Sequence, residues 1–257
     1  MAGASPDAQI ASAVTALTRS GGGVLQIPAG TYYFNKSISI PARTIVRGAG
    51  QGLTTLVFRG LSYPPNLFSG SSFGIESLTV RAPMSAADCN VMSIVSSYGC
   101  TYQAIQKKRN TEYSWVRDVD IRKPAADDPP PANWNRTAYV TLCTTAINSE
   151  ASENLGVDNV FAEDCYNFIT VTGQSNYTRA TNIRFAYRDM SFLLRCGHNL
   201  VVENGTRHFL GTARINNRYY IGWQPGFLVG QYCPTSFTKN VYYGNMTSTS
   251  ENQSWNE

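Results

Sequence analysis

The stretch from Ser20 to Tyr32 reads SGGGVLQIPAGTY, with three glycines before an apolar run and a Pro-Ala-Gly turn. The run Val24–Ile27 has the length and composition of a short strand, and the turn residues after it predict where that strand ends. The pattern returns at Thr44–Gly50, TIVRGAG, where a second apolar run meets glycines. This part of the chain therefore predicts short strands joined by sharp turns.

A helix is predicted immediately before this stretch, over residues 7–20. Either Ser5 or Asp7 is able to cap its N-terminus, and Pro6 suits a first turn. Its apolar residues recur at intervals of four and three, which predicts one apolar stripe: Ile10, Val14 and Leu17. No later segment keeps a period of about 3.6 residues, so the remainder is predicted to be β-structure.

Composition excludes several classes of protein. Of 257 residues only 15% are charged, and the formal net charge is +4. So few charges argue against a helical bundle, and the many aromatic residues argue against disorder. No apolar run is long enough for a membrane span, and the scattered positive excess gives no reason to expect nucleic acid. The six cysteines lack zinc-site spacing and are predicted to be buried thiols, with disulfides as the alternative.

Strand-like segments recur along the chain. Their first apolar residues lie at 78, 119, 160, 183, 200 and 241, so the gaps are 41, 41, 23, 17 and 41 residues. We expect one further unit inside each long gap, with Val140 and Ile221 near two of them, which gives a repeat of about 20 residues. Units of that length built from strands are typical of a β-solenoid, in which stacked coils bury one continuous apolar column.

An asparagine precedes the apolar residue in four of these six segments: Asn159, Asn182, Asn199 and Asn240. Asparagine tolerates the left-handed backbone conformation that a sharp corner needs, and its amide is able to bond the asparagine of the next coil. We therefore interpret these residues as structural corners of the solenoid.

The segment Asp7–Phe58 resembles the entry to the right-handed parallel β-helix of pectate-lyase-like proteins. The helix Ala8–Arg19, the stretch Ser20–Tyr32 and the run Thr44–Gly50 carry this resemblance. It implies an all-β, right-handed parallel β-helix forming a single domain over residues 1–257, with the helix as a cap on the open end of the core. Because no further strand precedes the helix and no second cap is visible, we expect a fragment of a longer chain.

Two stretches interrupt the repeat and are predicted to be loop insertions, at residues 99–115 and 123–136. The first holds Lys107-Lys108-Arg109 and several aromatic residues, and the second holds Trp134. In solenoids such insertions often form the wall of a groove.

The resemblance implies work on carbohydrate, because most pectate-lyase-like proteins cleave or bind polysaccharides. The leading hypothesis is a glycoside hydrolase acting on an extracellular glycan, which needs two carboxyl groups on one face. Asp164 and Asp189 are 25 residues apart, about one coil, and each precedes an apolar pair, so we predict that they stack as the catalytic pair. Glu163 and Glu203 are further candidates for the same role.

The predicted sugar contacts are Arg188, Arg195, Trp134 and His198. His198 belongs to a weaker similarity, in which Glu163-Asp164-Cys165, Gly197-His198-Asn199 and Arg214-Ile215-Asn216 resemble three steps of polygalacturonase-like hydrolases. Each of the three departs from that pattern at one position.

Two other functions stay open. A polysaccharide lyase on an acidic glycan is suggested by seven arginines between residues 179 and 218, beside an acidic stretch at 151–170. Calcium is expected only in that case, and otherwise no cofactor or metal is expected. The second is a non-enzymatic viral or cell-surface fibre or adhesin module, which would be a trimer rather than a monomer. For all three we expect a polysaccharide partner, no nucleic acid, no membrane, and a place outside the cell or on a virion surface.

Overall fold

The computed structural model describes residues 5–58, 66–70, 72–81, 103–107, 113–122, 143–150, 153–172, 176–194, 198–209, 213–215, 218–220, 227–229 and 241–250. Within the later strands, only part of the side chains belongs to the described set. In these ranges one helix, α1 (Pro6–Ser20), precedes the strands. The strands are β1 (Gly23–Gln26), β2 (Gly30–Phe34), β3 (Ile38–Ile40), β4 (Thr44–Arg47), β5 (Thr54–Phe58), β6 (Asn66–Gly70), β7 (Phe73–Arg81), β8 (Gln103–Lys107), β9 (Ser114–Arg122), β10 (Cys143–Glu150), β11 (Glu153–Thr172), β12 (Asn176–Leu194), β13 (His198–Phe209), β14 (Ala213–Ile215), β15 (Arg218–Tyr220), β16 (Phe227–Val229) and β17 (Val241–Ser250).

The strands wind into stacked coils that have three faces. The first face begins with β1 and β4 and continues through the first parts of β7, β9, β11, β12, β13 and β17. The second face contains β2, β5 and the next parts of the same long strands. The third contains β3, β6, β8, β10, the ends of β11 and β12, and β16. All these pairings are parallel, and β14 with β15 forms an antiparallel pair, so the predicted parallel β-helix is confirmed.

The coils differ in length, which corrects the repeat. Strands of the first face begin in register at residues 23, 44, 73, 114, 155, 178, 200 and 241, so successive coils span 21 to 41 residues. Leu78 pairs directly with Val119, Val119 with Val160, and Leu200 with Val241. The expected extra unit in each long gap is therefore wrong, because strands separated by a long gap pair directly with each other.

Two of the four predicted asparagine corners, Asn159 and Asn182, are confirmed where the first face turns into the second, and Asn240 lies outside the described residues. Five residues in successive coils have a positive φ there, between 48° and 57°: Ser77, Asp118, Asn159, Asn182 and Asn204. Asn199 is not one of them, because Leu200 pairs with Thr178 while Gly205 pairs with Ile183. The alignment of Asn199 with Asn182 was therefore wrong by five positions. A left-handed residue turns the chain sharply at each corner, which lets the next strand start on a new face.

The core is a column of aliphatic and aromatic side chains enclosed by the three faces. On the first face Leu25, Val46, Ile75, Val116, Val157, Ala180 and Val202 are all buried. Ring stacking continues the column elsewhere, since Phe168 and Phe185 are nearly parallel with centroids 4.1 Å apart. Each coil is thin, so the apolar surface is buried between coils rather than within one.

Helix α1 covers the amino-terminal end of this column, as predicted. Ile10, Val14 and Leu17 are half-buried against the core. Ser5 is the N-cap and accepts a hydrogen bond from the backbone N–H of Ala8. Asp7 instead bonds the backbone and side-chain amides of Asn35 and so ties the helix to the first coil.

The predicted loop insertion at 99–115 is wrong in part. Gln103–Lys107 is β8 of the third face, and Ser114 and Trp115 open β9 of the first face. Aromatic and basic residues in this stretch interrupt the alternation of apolar and polar residues that would have indicated these strands. The remaining residues of that stretch, apart from Tyr113, and the whole of 123–136 lie outside the described residues.

Candidate functional site

The outer surface of the first face carries aromatic rings, guanidinium groups and carboxylates side by side. Successive side chains of a strand point to opposite sides, so the neighbours of the buried Ile75, Val116 and Val157 face outward. We number the coils from the one that begins at Gly23, so that Phe73 opens coil 3 and Glu203 lies on coil 7. The outer surface of the first face between these two residues is called the shelf face.

Two aromatic rings on coil 4 form the centre of the shelf face. Tyr113 and Trp115 have ring centroids 5.7 Å apart and planes inclined by 33°. Tyr113 is 60% exposed, whereas Trp115 is half-buried. We call this pair the aromatic shelf.

Glycines on the neighbouring coils make room for both rings. Gly74 and Gly156 flank Trp115 in register on the coils before and after it. A Cβ atom at Gly74 would lie 2.3 Å from Cε2 of Trp115, and one at Gly156 would lie 2.8 Å from the hydroxyl of Tyr113. The indole of Trp115 therefore lies against the backbone of Gly74, and the phenol of Tyr113 approaches the backbone of Gly156.

A buried carboxylate fixes the shelf from beneath. Glu76 is only 2% exposed, and its Oε2 accepts a hydrogen bond of 3.1 Å from the indole N–H of Trp115. Arg117 donates to the same oxygen at 2.7 Å, and Arg47 donates to Oε1. The residues Arg47, Glu76 and Arg117 occupy one row across three successive coils.

The surroundings of Glu76 favour its ionised form. Burial alone raises the pKa of the Glu76 carboxyl. The hydrogen bonds from Arg47 and Trp115 and the charges of Arg117 and Arg47 lower this pKa by more than burial raises it. The net pKa lies below its ordinary value. A charged carboxylate with three donors is thus a stable part of this network.

Two carboxylates continue the same row toward the carboxyl terminus. Arg117 pairs in register with Asp158, Asp158 with Thr181, and Thr181 with Glu203. Oδ1 of Asp158 accepts hydrogen bonds from the Thr181 hydroxyl at 2.6 Å and from Asn182 at 2.8 Å. Glu203 accepts from Arg179 at 3.0 Å. Both carboxylates therefore bond to residues of the coil that lies between them.

The second face holds a separate cluster around Asp120. Arg122 pairs with Asp120 at 2.9 Å, and Gln51 donates to the other oxygen of the same carboxylate at 3.1 Å. The guanidinium of Arg122 also lies 4.1 Å from the ring centroid of Phe161. These contacts satisfy Asp120 within the fold, which fits a structural role.

The structure separates two of the predicted catalytic residues. Glu203 lies on the shelf face, whereas Glu163 lies on the second face, beside the position of Arg122. Asp164 and Asp189 lie on adjacent strands but not opposite each other. Ala162 pairs with Phe185 and Asn167 with Met190, so the strands pair at an offset of 23 residues on both sides of an irregularity at Cys165. The expected direct stacking of Asp164 on Asp189 is therefore wrong, because these two residues are 25 apart in sequence and lie about two positions out of register.

The predicted sugar contacts fall at the edge of what the structure describes. Arg188 lies on β12 and His198 at the start of β13, where it pairs with Asn176, but their side chains are outside the described set, as are those of Asp164 and Asp189. Arg195 and Trp134 lie outside the described residues altogether. Their assigned roles stay predictions.

Sequence reasoning missed the aromatic shelf and its buried carboxylate. The predicted loop at 99–115 includes Trp115, and no pattern in the sequence distinguishes Glu76. A signal exists in the spacing, since Gly74, Trp115 and Gly156 recur at intervals of 41 and 41 residues, which are also two of the repeat gaps. Glycines in register on both sides of a tryptophan indicate that there is space for its ring.

The described ranges contain neither a membrane-spanning helix nor a cluster of metal-binding side chains. No helix there is long and apolar enough to cross a membrane. No group of three or more His, Cys, Asp or Glu side chains in those ranges is arranged to hold a metal ion.

No family model matches this chain, and no curated protein matches it in sequence. Solved structures match its fold. A catalytic domain of a GH87 α-1,3-glucanase in complex with nigerose is similar at a TM-score of 0.57 and 15% identity, over 96% of this chain and 38% of that one. A proposed glycosyl hydrolase from Parabacteroides merdae is similar at a TM-score of 0.54 and 13% identity, over 79% of this chain and 89% of that one.

A third match comes from a virus. Gene product 12 of bacteriophage phi29, in its pre-mature form, is similar at a TM-score of 0.50 and 14% identity, over 93% of this chain and 30% of that one. The chain thus spans well under half of the glucanase domain and of the phage protein. At these identities the matches establish the fold alone, and it is the parallel β-helix that the strand pairing shows.

Proposed function

We propose that this chain is an extracellular carbohydrate-active protein that binds a linear polysaccharide along the shelf face and hydrolyses it there. One observation carries the proposal: two carboxylates, Asp158 and Glu203, lie in one outward row on the same face as the aromatic shelf. The glucanase and hydrolase among the structural matches support this choice of chemistry.

The spacing of the two carboxylates suits hydrolysis. They lie two coils apart, so their Cα atoms are separated by about 10 Å, twice the usual distance between strands. Each carboxylate bonds to the intervening coil, Asp158 through Thr181 and Glu203 through Arg179. Inverting glycosidases hold their carboxyl groups about 6.5–9.5 Å apart, which leaves room for a water molecule.

The chemistry in this arrangement has two simultaneous proton transfers. One carboxyl group protonates the glycosidic oxygen as its bond to the anomeric carbon breaks. The other takes a proton from the water that attacks the same carbon from the opposite side. Water is consumed, and one new reducing end appears with inverted configuration.

The test measures new reducing ends on a panel of polysaccharides that includes α-1,3-glucan, galacturonan and alginate. We expect Asp158→Asn and Glu203→Gln each to lower kcat by at least about 100-fold, the usual contribution of a general acid or base. Proton NMR of the fresh product is expected to show the inverted anomer.

Asp164→Asn and Asp189→Asn form the matched comparison, because they remove the pair expected from sequence. If these two variants lose activity while Asp158→Asn and Glu203→Gln keep it, the reaction takes place near the second and third faces and the proposal is wrong. A product with an unsaturated uronate, formed with calcium, would instead select the lyase.

A binding module of a viral fibre is the second candidate. It is favoured by the similarity to the phage protein over 93% of this chain. It predicts glycan binding with no new reducing ends, and it is the case in which a trimer is expected.

A further inference from the structure

The groups that border the aromatic shelf differ in exposure according to their charge. The side chains of Arg47 and Arg117 are 40% and 51% exposed, whereas that of Glu76 is 3% exposed. Two cations share one carboxylate, and this carboxylate lies beneath them. The surface beside the rings therefore presents guanidinium N–H groups and a local excess of positive charge.

The neighbouring carboxylate is hydrogen-bonded on the side away from these cations. Asp158 follows Arg117 in the row, but no ion pair joins the two in the described residues, and both hydrogen bonds of Asp158 run toward Thr181 and Asn182. Arg117 is held toward Glu76 on the opposite side, at 2.6 Å between Nη2 and Oε2. The guanidinium groups of Arg47 and Arg117 and the carboxylates of Asp158 and Glu203 thus follow one another along the axis of the β-helix.

The guanidinium of Arg117 is also fixed relative to the ring. Its Cζ lies 6.0 Å from the ring centroid of Trp115, and both side chains bond the same oxygen of Glu76. A sugar ring that stacks on an indole presents its C–H groups to the electron-rich face, while its polar substituents project beyond the edge. At this edge they meet a guanidinium, whose planar donors match a carboxylate or a sulfate.

We propose that the aromatic shelf is a subsite for an anionic sugar residue, with the sugar ring stacked on Trp115 and Tyr113 and its carboxylate or sulfate bound by Arg117 and Arg47. Glu76 acts as a positioning residue, because it holds the indole and both guanidinium groups in one arrangement. This proposal rests on the proposed glycan binding and names the class of glycan.

The experiment is a calorimetric titration of the full chain with three hexasaccharides: an oligogalacturonate, a sulfated galactan oligosaccharide and a neutral oligosaccharide. At least one anionic ligand is expected to bind about tenfold more tightly than the neutral one, as one charge-assisted contact implies. Comparing the two anionic ligands distinguishes carboxylate from sulfate as the recognised group. Equal binding of all three would overturn the proposal.

Variants separate the rings from the charges. Trp115→Ala is expected to weaken binding of every ligand about tenfold, and Arg117→Gln only that of the anionic ligands. Tyr33→Ala is the matched control, since Tyr33 is a half-buried aromatic residue like Trp115 but lies on β2 of the second face, outside the shelf face. A change for Tyr33→Ala without one for Trp115→Ala would place the ligand elsewhere.

Two further variants keep the result interpretable. Trp115→Phe retains a ring but has no N–H for Glu76, so a preference lost in this folded variant assigns Glu76 a positioning role. Glu203→Gln is expected to keep the anionic preference while losing hydrolysis. Failure of hydrolysis alone therefore refutes the proposed reaction, whereas equal affinities in an active protein refute only the anionic subsite.

Discussion

Asn159 donates a hydrogen bond of 2.7 Å from its side-chain amide to Oδ1 of Asp118, and both residues have a positive φ, 48° and 52°. The bond thus joins the corners of two successive coils. Asparagine is suited to this position because it tolerates the left-handed conformation and supplies a donor toward the neighbouring corner.

Replacing this corner residue is expected to lower stability by two separable contributions. Asn159→Ala loses the bond to a carboxylate and places an alanine in the left-handed region, for about 3 kcal/mol in total. Asn159→Gly loses only the bond and is expected to cost about half as much. Urea unfolding of both variants measures the two contributions, and equal losses would show that the backbone conformation at this corner carries no cost.

The Glu76 network predicts a loss of stability in acid. Because the pKa of Glu76 is lowered on folding, its ionised form stabilises the protein above the unfolded pKa, about 4.3. That contribution disappears as the pH falls through the lower folded pKa. Thermal unfolding from pH 7 to pH 3 is therefore expected to show a steeper fall for the natural chain than for Glu76→Gln. Parallel curves would mean that the carboxyl has the same pKa in both states.

The close contact between Gly74 and Trp115 predicts a steric coupling. Gly74→Ala places a methyl group 2.3 Å from the indole, which must move and give up its bond to Glu76. We expect a loss of about 1–3 kcal/mol, as for other overpacked positions. In the background of Trp115→Ala the same substitution is expected to cost little. An equal cost in both backgrounds would place the strain in the backbone rather than in the ring.

Helix α1 protects the end of the core, so a charge on its inner side is expected to be costly. Leu17→Asp places a carboxylate against buried apolar side chains and is expected to lower the melting temperature and promote association. Ala16→Asp is the control, because Ala16 is exposed on the same helix. Light scattering and thermal melts of the two variants measure the difference, and similar behaviour would contradict a capping role.

Much of the fold could be predicted from local patterns. The helix, the Ser20–Tyr32 strands and the corners at Asn159 and Asn182 follow from residues close together in sequence. The number of coils could not, because the register through Leu78, Val119 and Val160 ignores how many residues lie between them. A constant repeat was the wrong assumption, since connections of different length do not disturb the hydrogen bonds between coils.

The candidate site was harder to predict than the fold. The shelf depends on Gly74, Trp115 and Gly156, which become neighbours only once the coils are in register. The pairing offset between neighbouring strands matters as much, because β11 and β12 pair at an offset of 23 residues whereas Asp164 and Asp189 are 25 apart. Sequence distance of about one coil therefore identifies adjacent strands but not adjacent side chains.

The spacing between coils stays constant although the coils differ in length. Asp158 and Glu203 are 45 residues apart in the chain, yet they are two rungs apart on the shelf face. The rung spacing is about 4.8 Å because inter-strand hydrogen bonds set it, whatever the length of each connection. A linear polymer lying along the axis would therefore meet side chains at a fixed interval. Insertions between strands would change the surface beside the polymer without changing the distance between successive side chains that contact it.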